Sequence, residues 1–149
     1  MGKIVIVNTG PVKSTLGLEI AADSVAQAVA ERLIEYKVSA VYTCPVPGAE
    51  EMARIIAGRF GLQARPLPGP DDEVAAALDD ITMKHKKETV VIVSQPELSV
   101  TILLHLLNLD NKRYQQIAQD HGAVNLFEAR FGMPSALYIN DTCHLHELK

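Results

Sequence analysis

Three short runs rich in β-branched residues, at positions 3–7, 38–42 and 89–93, are each followed by a longer stretch whose apolar side chains recur at helical spacing. Parallel strands cannot be joined by a tight turn, so each needs a crossover, usually a helix, to bring the chain back across the sheet. Alternation of this kind confines the chain to α/β layer folds with a largely parallel sheet. Ile4-Val5-Ile6-Val7 has no polar alternation, the mark of a strand covered on both faces.

Residues 20–36 set Val25, Ala28, Val29, Leu33 and Ile34 on one helical stripe. A second helix is expected over 48–60, stopped by Gly61, and a short third strand over 62–67. Pro68-Gly69-Pro70 breaks the chain, and Asp71, Asp72 and Glu73 are then expected to supply the cap and first-turn carboxylates of a helix running to about Lys84. The segment leaves room for that helix and no separate cap domain. Pro96 suits the first turn of a helix through Leu106 that is apolar nearly all round and therefore buried. A helix near 111–119 leads to closing strands at 123–130 and 135–140, joined by a hairpin at Gly132-Met133-Pro134. The expected architecture is a three-layer α/β/α sandwich. Its sheet has about six strands, mostly parallel, with one terminal strand antiparallel. A chain of 149 residues, 48% apolar, fits one domain spanning 1–149.

Composition narrows the partners. A net charge of -4 argues against a nucleic-acid backbone, which is held by clustered Lys and Arg. The basic run Lys84-His85-Lys86-Lys87 is best placed at a helix end, where it complements the dipole. No window approaches a membrane span, and Ile6 stands where a lipidation signal at Gly2 needs Ser or Thr. Cys44 and Cys143 form no disulfide framework and are read as small core residues, which fits a reducing cytoplasm. His144 and His146 lack a third ligand for zinc, so no metal or cofactor is expected. His105 reads as a core or helix-end histidine, and Asp79 and Asp80 as surface.

Ligands of such sheets bind at the carboxyl ends of the strands. Three segments fall there: Asn8-Thr9-Gly10, Thr43-Cys44-Pro45-Val46-Pro47-Gly48 and Ser94-Gln95-Pro96. Gly10 to Thr15 has the look of a nucleotide-binding loop, but Val7 and Val12 stand where that loop needs glycines. A cysteine phosphatase built on Cys44 needs an arginine at position 50, which is Glu.

In these segments the chain resembles the histidine phosphatase superfamily, the phosphoglycerate-mutase-like group, over nearly its whole length. The family's Arg-His-Gly after the first strand reads here Asn8-Thr9-Gly10. Its Ser-Ser-Pro-Leu-x-Arg-Ala reads Thr43-Cys44-Pro45-Val46-Pro47-Gly48-Ala49, and its Ser-His-Gly reads Ser94-Gln95-Pro96. The tail Asn140-Asp141-Thr142-Cys143-His144-Leu145 is similar to the family's closing Asn-Asp-x-x-His-Leu.

The resemblance implies a histidine nucleophile, two arginines and a second histidine around a transferring phosphoryl group. By position these are Thr9, Asn8 with Gly48, and Gln95, so all four are absent. Two lost charge-assisted contacts at about 1.5–3 kcal/mol each remove more than about a hundredfold in phosphate affinity. Thr9 needs an adjacent base that none of the matched positions supplies. The family's acid or base falls near Pro68-Gly69-Pro70, where Asp71, Asp72 and Glu73 are better explained as caps. Pro11, Pro47 and Pro96 also lack the amide hydrogens that hold anions.

The expected reading is a catalytically inactive, regulatory module that binds a small molecule or protein, as a monomer or homodimer. Its ligand set is Asn8, Thr9, Gly10, Lys13, Thr43, Cys44, Ser94 and Gln95, with Lys13 the surviving cation. A divergent phosphomonoesterase using Thr9 or Cys44 is the first alternative, and a structural or assembly protein the second. An open pocket lined by Asn8, Thr9, Thr43, Ser94 and Gln95 favours binding; a filled one with an apolar patch elsewhere favours assembly.

Overall fold

The computed structural model describes residues 2–9, 22–68 and 73–148. Among them, β1 (Lys3–Asn8) leads to α1 (Ala22–Leu33), β2 (Val38–Thr43), α2 (Pro47–Arg59), β3 (Ala64–Pro66), α3 (Val74–Lys84), β4 (Thr89–Ser94), α4 (Pro96–Leu106), β5 (Val124–Arg130) and β6 (Met133–Asp141). The strands form one sheet in the order β3-β2-β4-β1-β5-β6. β1, β2, β3 and β4 pair in parallel, and β5 runs antiparallel to both β1 and β6. The expected reversed strand is therefore β5, set one place inside the edge.

Strand pleating divides the core. Val5, Val7, Val91 and Val93 face α1 and α2, while Ile6, Val90 and Ile92 face α3 and α4. Every residue of β4 is buried, as a central strand with helices on both faces demands. The three layers are those expected.

Local expectations fared unevenly. The start of the first helix lies outside the described residues. Its stripe holds at Val25, Val29 and Leu33, but Ile34 falls in a following 3-10 turn and is 41% exposed. Gly61, at φ +69°, ends α2 as expected, with the Leu62 amide donating to the Ala57 carbonyl. β3 is only three residues long. Asp71 and Asp72 lie outside the described residues. Glu73 occupies the cap position of α3 without a side-chain cap bond, and no acid stands in the first turn. The expected helix at 111–119 is a 3-10 segment, Asn111–Gln116, capped by Asp110. Cys44 is buried, but Cys143 is exposed. His105 is the helix-end residue of α4 rather than a core residue, with Nε2 3.9 Å from Asp79 Oδ1.

Candidate functional site

Parallel register brings the three segments together. Asn8 pairs with Ser94, and Thr43 with Val93. The Thr9 amide donates to the Ser94 carbonyl at 2.8 Å, and the Cys44 amide to the Val93 carbonyl at 3.2 Å. A Cβ at Gly48 would stand 3.9 Å from Thr9 Oγ1, so these two positions face one another. Gly10, Pro11 and Lys13 lie outside the described residues.

The side chains at this junction turn inward. Asn8 and Ser94 are fully buried, and Thr9, Thr43 and Cys44 nearly so; Gln95 is half-buried. Their polar atoms form a directed chain. Ser94 Oγ lies 2.7 Å from Ser99 Oγ, and the Ser99 hydroxyl donates to Asn8 Oδ1 at 2.9 Å. Because Ser99 gives its hydrogen to Asn8, Ser94 donates to Ser99. Asn8 Nδ2 in turn donates to the Asp120 carbonyl at 2.9 Å. Thr43 Oγ1 donates to the Cys44 carbonyl. Among the described residues no buried side-chain polar atom lacks a partner.

Asn8 thus locks β1 onto α4 and onto the turn before β5. That turn is tied twice more, by Asn8 accepting from the Gly122 amide at 2.7 Å and donating its own amide to Ala123. It carries His121, which the sequence reading passed over; the His-Gly step before a closing strand was the available signal. Burial pushes the His121 pKa down, favouring the neutral imidazole.

The tail is part of the same assembly. Arg32 of α1 holds Asp141 Oδ2 at 3.0 Å and His144 Nδ1 at 2.8 Å, and lies 4.6 Å from the centre of the Tyr138 ring. A guanidinium only donates, so Nδ1 is the acceptor and Nε2 carries the hydrogen given to the Gly122 carbonyl at 2.7 Å. Arg32, followed by the Cys143 amide, holds the Asp141 carboxyl well below the usual carboxylate range. Leu145 packs against Gly122, where an added Cβ would come within 2.9 Å of it. The residues most literally similar to the family's tail therefore brace the fold beneath the site.

The helices that begin beside the site each have one amide fewer and an acid in the first turn. Pro47 and Pro96 begin α2 and α4, removing one amide from each, and the first turns carry Glu50 and Glu97. Carboxylates there satisfy the helix dipoles and repel an incoming anion. Beside the junction an open cleft is bordered by Cys44, Pro45, Val46, Val74, Gln95 and Leu98, with Glu97 its only charged lining residue among those described. No group of three His, Cys, Asp or Glu among the described residues could hold a metal ion.

The comparisons agree with this architecture. Residues 71–142 match the family model of the histidine phosphatase superfamily (branch 1). Phosphoserine phosphatase from Entamoeba histolytica, solved with 3-phosphoglyceric acid, is 18% identical, with 97% of this chain and 100% of that chain covered and a TM-score of 0.80. YhfR of Bacillus stearothermophilus is 14% identical over 97% and 100%, with a TM-score of 0.79. The alpha-ribazole phosphatase from Shigella flexneri is 10% identical over 93% and 96%, with a TM-score of 0.73. No curated protein matches the sequence. The fold is that of these phosphatases, and the sequence of its second half matches the histidine phosphatase superfamily. At these identities the structural likeness speaks for the fold, and function rests on the site. No helix among the described residues is long and apolar enough to cross a membrane.

Proposed function

We propose that this chain is a catalytically inactive histidine-phosphatase-like protein: a single cytoplasmic domain that works by binding a small molecule or a protein partner. The observation that carries the reading is Asn8, fully buried and bonded on both ends of its amide, at the position where the family places an arginine. Phosphoryl transfer depends on cations aimed at the transferring oxygens. Here the charged residue that lines the described mouth is Glu97. The junction itself is filled by Asn8, Thr9, Thr43 and Ser94, the arrangement expected of an assembly protein, so the binding reading rests on the open cleft beside it, which only Cys44 and Gln95 of the expected ligand set reach. Its neutral lining and single carboxylate suit an uncharged or cationic group. Thermal melts with inorganic phosphate and vanadate test this: neither should raise the melting temperature, whereas millimolar stabilisation by either, lost in Thr9→Val, contradicts it.

A second reading, a divergent phosphomonoesterase using Thr9 or Cys44, draws on His121. This imidazole is kept neutral on the turn bonded to Asn8. It requires phosphomonoester turnover that disappears in His121→Ala as well as in Thr9→Val or Cys44→Ala.

A further inference from the structure

At the opposite end of the sheet, where β1 and β4 begin, the face under α3 and α4 is incompletely covered. Ile4, Ile81, Val90, Leu106, Phe127 and Met133 border an open hollow of about 160 Å³. A closed apolar cavity of about 150 Å³ holds a single benzene ring; this hollow is of similar size but open, with Thr82 and His85 also on its border. The hollow is bordered on one side by Gly132 of the turn between β5 and β6 and by Met133 and Pro134 just past it.

That turn carries Phe131, which is 100% exposed. Its backbone is left-handed at φ +53°, followed by Gly132 at φ +76°, as a two-residue hairpin of type I′ requires. An aromatic side chain is unfavourable at a first position that Asn or Gly fills best. Phe131 therefore pays twice, in backbone strain and in exposure, for something the isolated chain does not use. Met133, 64% exposed on the border of the hollow, extends the apolar surface and can adapt to a second body.

We propose that two copies of this chain associate about a two-fold axis, Phe131 of each filling the hollow of the other. The ring matches the hollow in size. Knob and hole are neighbours on one surface, so a two-fold arrangement makes both contacts at once and closes, whereas a distant pair would build open chains. The rim carries both signs, Lys3 and Lys86 against Glu128, so a copy of the same surface meets no field of one sign.

Sedimentation velocity across the micromolar range tests this with Phe131→Asn, which removes the knob while installing the Asn-Gly pair the turn prefers. The wild type should form a dimer, and F131N should weaken it at least about tenfold with an equal or higher melting temperature. Toluene should dissociate the wild-type dimer by filling the hollow. A wild type that stays monomeric, or an F131N dimer of unchanged strength, overturns the proposal. A monomeric wild type whose melting temperature rises with toluene assigns the hollow to a small apolar molecule and overturns it too.

Discussion

The Ser99 hydroxyl donates to Asn8 Oδ1 at 2.9 Å across 91 positions of sequence, tying the first turn of α4 to the carboxyl end of β1. Ser99→Ala leaves the buried Asn8 Oδ1 without its donor, and Asn8→Ala leaves the Ser99 hydroxyl with Ser94 alone, so each should cost about 1–3 kcal/mol in urea unfolding. A double-mutant cycle should return a coupling energy well above zero.

The two positions matched to the family's arginines should respond oppositely to restoration. Asn8→Arg places a guanidinium where the structure has no exposed surface and breaks both amide bonds, at a cost of about 3–5 kcal/mol. Gly48 is exposed on α2 with only Thr9 Oγ1 near its missing Cβ, so Gly48→Arg should be neutral or stabilising by up to about 1 kcal/mol. Urea midpoints of the two variants read the contrast directly.

Acid sensitivity should centre on the Arg32–Asp141 pair. Asp141 has its folded pKa depressed, so its contribution is fully present above the unfolded value near 4 and fades as pH falls below it. Asp141→Asn should lower stability at pH 7 by about 1–2 kcal/mol, since the carboxylate is partly exposed, and flatten the stability–pH curve between about 4 and 2. Chemical denaturation at a series of pH values checks both.

Gly122 and Gly61 both have positive φ, yet their substitutions should differ. At Gly122 an added Cβ meets Val25 Cγ1 at 2.6 Å and Leu145 Cδ1 at 2.9 Å; at Gly61 it meets nothing within 4 Å. Gly61→Ala should cost about 1–2 kcal/mol from backbone strain alone, and Gly122→Ala more, because overpacking adds about 1–3 kcal/mol. Thermal melts of the two variants test the difference.

Much of this was legible in the sequence because it is periodic. The β-branched runs fix strands covered on both faces, and the intervening apolar stripes fix their helices. Elements without a strong period were misjudged: Asn111–Gln116 has no apolar stripe and winds as 3-10, and β3 keeps only three residues of an expected six. The site was legible as a set of positions but not as a state. That Asn8 faces inward depends on its register with Ser94 and on the helical phase that aims Ser99 at it, both of which are tertiary. Glu97 matters because α4 begins at this junction and sets it on the cleft, and residue types alone do not reveal that.

The account rests on the loss of phosphoryl-transfer chemistry, and steady-state hydrolysis of p-nitrophenyl phosphate by the purified chain tests it most directly. The expected result is no rate above buffer that Thr9→Val, Cys44→Ala or His121→Ala lowers. Enzymatic turnover abolished by any of these substitutions in a folded protein would contradict it.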